Sequence, residues 1–301
     1  MPYSHKQQIR HLQITDTYKI ERLMHTSEYI YQRFTVGELP LLLRRYPASG
    51  MYHGTTLYGF LLSQIFNLPC AWVGGFGVSW TESKNYRAIL TQLLEHVSEK
   101  LVAKGVRYLH YSGNDVDNDW LRTILLNFGF IPYRQLHAYD KFNFSIPTEG
   151  NQQVHIRPVR TGAAHAPYVT QESPNDIPDL LTIEAACFED LWRNDSTTFR
   201  DIAKTHPYFV VAELDGKVVG YQFNTQDDDA GYLVRLAVHP SVSGQGIGTR
   251  LMAEAMRFFQ RARVSRIMLN TQADNDHAHR LYERFGFVRL QQTGFVLRKS
   301  L

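Results

Sequence analysis

The sequence carries the same pattern twice, a common offset of 157 residues apart. Asn118-Asp119 opens a helical stretch that closes on Phe128-Gly129-Phe130, and Asn275-Asp276 opens another that closes on Phe285-Gly286-Phe287. A repeat of this length constrains the fold more than any local propensity, because each copy must form its own layered core. The halves also open alike, on Ile9-Arg10 and on Ile156-Arg157-Pro158, and Ser145 to Asn151 between them has the Pro, Ser, Thr and Gly content of a linker. The expectation is therefore two tandem α/β domains, 1–147 and 152–301, each a mostly antiparallel mixed sheet flanked by helices.

Length and charge agree with this division. At 301 residues the chain suits two domains, and 32 basic against 29 acidic residues leave a net charge of +3, too mild for a dedicated nucleic-acid binder. Cys70 and Cys187 could form at most one bridge, which indicates a reducing compartment. No apolar run approaches the ~18 residues that span a bilayer, and the polar stretch from Met1 to Arg10 lacks a signal-peptide core. A cytoplasmic protein without membrane partners is expected. The 13 histidines are scattered, and His277 and His279 diverge on a helix, so no metal site is expected.

The second half reads as a helix over Leu180–Cys187, then strands Phe209–Glu213 and Lys217–Phe223 joined by Asp215-Gly216, a strong hairpin signal. A strand over Tyr232–Val238 runs into the turn His239–Gly248, followed by a helix over Thr249–Arg263, a strand over Arg266–Asn270 and a helix over His277–Arg284. Closely spaced Gly244, Gly246 and Gly248 between a strand and a helix N-terminus can point backbone amides at an anion; a ligand-free flexible turn is the competing reading. A Rossmann loop fits worse, since the preceding strands form a meander.

The glycine turn and the run from Asn275 through Tyr282 to Phe285-Gly286-Phe287 together resemble the GCN5-related N-acetyltransferase (GNAT) superfamily, from Ile156 to the end. Ile183 to Phe188, Trp192 and Gly220-Tyr221 resemble the start of that fold in members that acetylate protein N-termini. The resemblance implies acetyl-CoA as cosubstrate and a primary amine of a small molecule or peptide as acceptor. It implies that Leu236, Ala237 and Val238 hold the pantetheine arm and thioester, and that Ser243, Gly244, Gln245, Gly246, Ile247, Gly248 and Thr249 cradle the diphosphate. Asn275 would help place the cofactor and Tyr282 would protonate the departing thiolate. Ser243 departs from the Arg or Gln with which the family usually opens this loop.

A phenol is suited to protonating a thiolate, and an amine must lose a proton before it attacks a thioester. Core packing competes as a reading of Tyr282, and helix capping of Asn275. Candidates for the general base are Glu184, Tyr232 and the acidic run Asp227, Asp228 and Asp229; a water chain could replace them all. His239 is a weaker candidate. Phe188, Trp192 and Arg235 are the candidate acceptor contacts, with Arg235 on the opposite strand face from Leu236.

The first half repeats the order, with Leu57–Leu62, Ala71–Trp80, Ala88–Val102 and Val106–Tyr111 as counterparts. Aligned by an offset of 160, Tyr86 stands where the second half has Gly246; by 157, Leu125 stands where it has Tyr282. The first copy is therefore expected to be degenerate, with one cofactor per chain, and the tandem to be a monomer whose stretch Tyr29–Tyr46 could wall the acceptor cleft. Length and layout are similar to mycothiol synthase, a tandem member of the superfamily. A non-catalytic CoA-binding module is the alternative from another class.

Overall fold

The computed structural model describes residues 7–114, 120–162 and 174–301. Asn118-Asp119 of the repeat lies outside the described residues. The chain divides into two compact units, Met1–Tyr133 with Phe295–Leu301, and Arg134–Gly294.

The first unit runs β1 (Gln7–His11), α1 (Thr17–Thr26), β2 (Ser27–Gln32), α2 (Leu39–Arg45), β3 (Ala48–His53), β4 (Thr56–Asn67), β5 (Cys70–Ser79), α3 (Tyr86–Val102), β6 (Tyr108–Asn114) and α4 (Trp120–Asn127). Its strands lie in the order β1-β3-β4-β5-β6, antiparallel except for the parallel pair β5·β6, and β2 also pairs with β5. Helix α3 buries Ile89, Leu90, Leu93, Leu94, Val97 and Leu101, which recur at helical spacing and give it one apolar face. Each such side chain stabilises the fold by about 1.5–3 kcal/mol through burial.

The strand β7 (Ile131–Lys141) leads into the second unit, which continues with β8 (His155–Pro158), α5 (Ile177–Cys187), α6 (Ser196–Thr205), β9 (Tyr208–Leu214), β10 (Lys217–Gln226), β11 (Ala230–Val238), α7 (Ile247–Ala262), β12 (Arg266–Gln272), α8 (Asp276–Arg284) and β13 (Val288–Ser300). The order is β7-β12-β11-β10-β9-β8, with β11·β12 parallel and the other pairs antiparallel. Asp215 and Gly216 both take positive φ, 51° and 75°, as a two-residue hairpin turn requires. On α7, Ile247, Leu251, Met252, Ala255, Met256 and Phe259 face the sheet.

The repeat shows in the helix ends. Gly129 (φ 90°) and Gly286 (φ 77°) each stand just beyond the last helix of their half in the left-handed region, where a glycine terminates a helix at least cost. Phe130 and Phe287, which follow them, are both buried.

The compact units do not divide at the expected linker. Residues 136–141 of β7 pair with β12, from Gln272↔Leu136 to Ile267↔Lys141, while Phe295 and Leu297 at the end of β13 belong to the core of the first unit. Each unit thus takes the strand that follows the other half's last helix. Composition marks Ser145–Asn151 as a linker, but a strand exchange moves the division to 133/134 because it depends on pairing between strands distant in sequence. The segment itself is packed: Phe144 and Ile146 lie against the cluster that includes Met252, Met256 and Phe259, and Val154 is buried with Ile247 and Leu251.

Candidate functional site

The site begins where two parallel strands stop pairing. β11 and β12 are in register only at Ala230↔Arg266, Gly231↔Ile267 and Tyr232↔Met268. On its other edge β11 stays paired with β10, but Phe223 faces Arg235 and the next residue, Asn224, faces Leu233, so Val234 is an extra residue in β11. Such a bulge bends the strand and increases its twist. Past Tyr232 the two strands diverge around a cavity of about 170 Å³ whose lining includes Leu233 to Leu236 on one side and Asn270, Thr271 and Gln272 on the other.

Alternation fixes which amides face this opening. The His239 amide donates to the Val219 carbonyl at 2.8 Å, toward β10. Ala237, two residues back, therefore faces β10 as well, while Leu236 and Val238 turn their backbone groups to the opened side. The Cys187 thiol approaches the Val238 carbonyl there at 3.2 Å. Ala237 contributes a buried methyl to the core beside α5 and does not line the cavity.

The glycine turn follows directly. Pro240–Val242 forms a short 3₁₀ turn capped by the His239 ring, whose Nδ1 meets the Ser241 hydroxyl at 2.7 Å, so His239 serves the turn. Gly244 (φ 78°) and Gly246 (φ 76°) are left-handed, and Gly246 is the N-cap of α7. A Cβ on Gly244 would meet nothing within 4 Å, so that loop edge borders open space. Ser243 and Gln245 are exposed, and Ile247 and Thr249 are buried. The start of a 16-residue helix carries uncompensated amides and a partial positive charge, which suits an anion.

Tyr282 lines the cavity from α8. Its ring is 8% exposed and packs near Tyr139 and Phe287, and burial, with the neighbouring Tyr139, pushes its phenol up to about 12. It is thus a proton donor throughout the neutral range. Helix α8 is held at both ends. Asn275 caps it by accepting from the Ala278 amide at 3.2 Å, as the capping reading has it, and also lines the cavity. At the far end the buried Lys141 donates to the Phe285 carbonyl at 2.5 Å, a cation against the negative end of the helix dipole.

The candidate bases are not brought to the cavity. Glu184 is 1% exposed and does not line it: its carboxylate accepts from Arg235 Nη1 at 3.0 and 3.2 Å, from the Asn194 amide at 2.8 Å and from the Tyr221 hydroxyl. Burial raises its pKa, with Arg235 opposing. The acceptor positions of Glu184, one of the candidate bases, are thus occupied by fixed donors. Tyr232 points its hydroxyl at Asp227 Oδ2, 3.0 Å away in the exposed hairpin, and Asp228 and Asp229 lie in that same hairpin. None of Glu184, Tyr232 or Asp227–Asp229 is among the lining residues.

The three candidate acceptor contacts do line it. Arg235, Phe188 and Trp192 are joined: the Arg235 guanidinium lies 4.1 Å over the Phe188 ring, and its Nη2 donates to the Trp192 carbonyl at 2.7 Å. Arg235 is thus fixed in place by Glu184 and the 188–192 turn. Cys187, Leu136, Asn270, Thr271 and Gln272 also line the cavity and were not singled out from sequence. The Cys187 thiol is pushed up to about 11 by burial, so it stays protonated. Leu136 reaches the site only through the exchanged strand, which no local signal reveals.

The first unit has the same parting of strands. β5 and β6 pair only at Cys70↔Tyr108, Ala71↔Leu109 and Trp72↔His110. Beyond this point β2 lies against β5, with Gln32↔Gly75, Tyr31↔Phe76, Ile30↔Gly77 and Tyr29↔Val78. Tyr86 stacks on Tyr29 at 3.9 Å, with the edge of Trp120 against both, and Leu125 is fully buried. The start of the stretch Tyr29–Tyr46, expected as a cleft wall, is used inside this unit.

Comparison with known proteins places this geometry. Residues 177–287 match the acetyltransferase (GNAT) family. A Bacillus subtilis protein described as a putative [ribosomal protein bS18]-alanine N-acetyltransferase is 28% identical over 111 residues, 37% of this chain and 74% of that protein. Mycothiol acetyltransferase of Streptomyces coelicolor is 31% identical over 117 residues, 36% of this chain and 38% of that protein. An uncharacterized N-acetyltransferase of Methanocaldococcus jannaschii is 39% identical over 80 residues, 26% of this chain and 51% of that protein. The match thus spans about half or less of the last two relatives. Among solved structures, a tandem GNAT protein of the clavulanic acid biosynthesis pathway superposes with a TM-score of 0.64 at 13% identity over 98% of both chains. A GCN5-related N-acetyltransferase from Sphaerobacter thermophilus gives 0.62 at 14% identity over 98% of this chain and 95% of that one. These likenesses extend the fold over the whole length. Among the described residues no group of three metal-ligating side chains occurs, and no helix is long and apolar enough to cross a membrane.

Proposed function

Starting from residues 177–287 as a domain of the acetyltransferase (GNAT) family, we propose that the second unit transfers an acetyl group from acetyl-CoA to a primary amine of a small molecule or peptide, by direct attack when both are bound. The observation that carries this reading is the parting of β11 from β12 after Tyr232↔Met268, which leads from the Tyr282 cavity to the glycine turn. The residues fit the cosubstrate: the Leu236 and Val238 amides face the opening, where a pantetheine arm can add as a strand, and the turn presents amides beside open space at Gly244.

Acetyl-CoA supplies an activated acyl group and a thiol leaving group. A backbone amide of β11 donates to the thioester carbonyl and stabilises the charge that develops there as the amine nitrogen bonds to its carbon. As the carbon–sulfur bond breaks, the Tyr282 hydroxyl gives its proton to the sulfur, and the buried phenolate regains one readily because burial disfavours its charge. Among the described residues no carboxylate lines the cavity, and in this reading the amine proton leaves through water. Phe188, Trp192 and the fixed Arg235 flank the acceptor. We assign the first unit no second acetyl-CoA site. Isothermal titration with acetyl-CoA, followed by an amine panel read by mass spectrometry, tests both statements: one equivalent bound and an acetylated amine are expected, and two equivalents or no binding would overturn them.

A further inference from the structure

The segment that composition marks as a linker touches the glycine turn. Gly150 sits at φ 71°, and a Cβ placed there would come within 2.4 Å of the Arg250 amide nitrogen, 2.6 Å of the Gly246 carbonyl oxygen and 2.9 Å of the Thr249 carbonyl carbon. All three are backbone atoms, which cannot rotate away. The next residue, Asn151, donates its amide to the Gly246 carbonyl at 3.2 Å, the same carbonyl that accepts from Arg250 at 3.0 Å in the first turn of α7. Glu149 pairs with Arg257 at 2.5 Å and Arg250 at 3.5 Å, and both arginines also meet Glu254. Ile146 and Val154 fix the segment in the core on either side.

A glycine pair at positive φ can change its peptide orientation at little steric cost. Gly244 and Gly246 therefore need something outside the turn to hold one arrangement, and Asn151 supplies a donor to the carbonyl between them and the helix. We propose that Gly150 and Asn151 are positioning residues for the cosubstrate: they lock the Gly246 carbonyl on the inner side of the turn, so that its amides stay aimed outward at the diphosphate. This rests on the reading of the turn as the diphosphate site. The contact also makes the segment between the two halves a determinant of cosubstrate affinity.

Full-length Gly150→Ala, Asn151→Pro and Asn151→Ala test it by calorimetric titration with acetyl-CoA, with thermal melts alongside. Gly150→Ala collides with the α7 backbone, and Asn151→Pro removes the donated N–H; each is expected to weaken acetyl-CoA at least about tenfold. Asn151→Ala keeps the N–H and is expected to stay within about twofold. S-acetylpantetheine, which has the thioester but no diphosphate, is expected to bind all three variants as it binds the wild type. Equal affinity of Asn151→Pro and wild type for acetyl-CoA would overturn the inference, as would an equal loss in Asn151→Ala and Asn151→Pro or a parallel loss for both ligands. A wild-type chain that fails to bind acetyl-CoA would instead remove the underlying reading of the turn.

Discussion

The two halves part their central parallel strands at equivalent places, after Trp72↔His110 in one and after Tyr232↔Met268 in the other, and then use the gap differently. In the second half it borders a cavity; in the first it is closed by the chain's own strand β2, with Tyr86 stacked on Tyr29 where the other copy has Gly246. Strand amides that lose a neighbouring strand need another partner, which β2 supplies in the first half and which the proposed pantetheine arm would supply in the second. Under the proposed function a binding half and a structural half share one fold: the same defect in the sheet is satisfied from inside in the first and would be satisfied from outside in the second.

The comparison would break most visibly at Tyr282. Replacing it with Phe keeps the packed ring and removes the proton, and turnover at saturating acetyl-CoA should fall by about 10² to 10⁴ with little change in melting temperature. Unchanged turnover would leave the two halves alike in lacking an acid. Next in size is the ion pair beside Phe188 and Trp192. Arg235→Met strands the fully buried Glu184 carboxylate and should cost about 3–5 kcal/mol in urea unfolding, while adding Glu184→Leu should recover much of the loss. If the single variant is as stable as the wild type, the pair does not hold the 188–192 turn as inferred.

Acidification probes the parting strands of the first half. His110, buried in β6 beside the parting strands, is pushed down to about 4, chiefly by burial. Its folded pKa lies below its unfolded value of about 6.5, so the neutral form stabilises the fold above that value and the contribution is lost as pH falls from about 6.5 to 4. The full effect is on the order of 3 kcal/mol. Loss of stability over this range should be reduced in His110→Asn, and an identical pH profile in the variant would contradict the assignment. The smallest effect is expected at the plug. Tyr29→Ala removes the stack on Tyr86 and should cost about 1–2 kcal/mol while leaving acetyl-CoA affinity unchanged. A second equivalent of acetyl-CoA bound by that variant would show that β2 only blocks a competent site.

Much of the architecture was legible because it is periodic or punctuated locally. The Asp215-Gly216 hairpin, the α7 face from Ile247 to Phe259 and the glycine ends at Gly129 and Gly286 follow from residues within a few positions of one another. That Tyr282 and Asn275 share one helix was legible for the same reason, and both line the cavity. The buried network around Glu184 was not legible, because its partners, Tyr221 and Arg235, are 37 and 51 residues away and nothing near Glu184 shows that they meet.

By itself, then, the sequence determined the two copies, the strand and helix order from Tyr208 to Arg284, the glycine turn and the helix that carries Tyr282, since these depend on backbone preferences and short-range spacing. Tertiary structure alone decided which strand completes each sheet, that β2 closes the first half's gap, that Glu184 is buried away from the cavity and what the segment Glu149–Asn151 touches. Those outcomes turn on pairing and burial between residues far apart in the chain. A backbone amide or a buried carboxylate takes whatever partner the fold delivers, so composition around it does not name that partner.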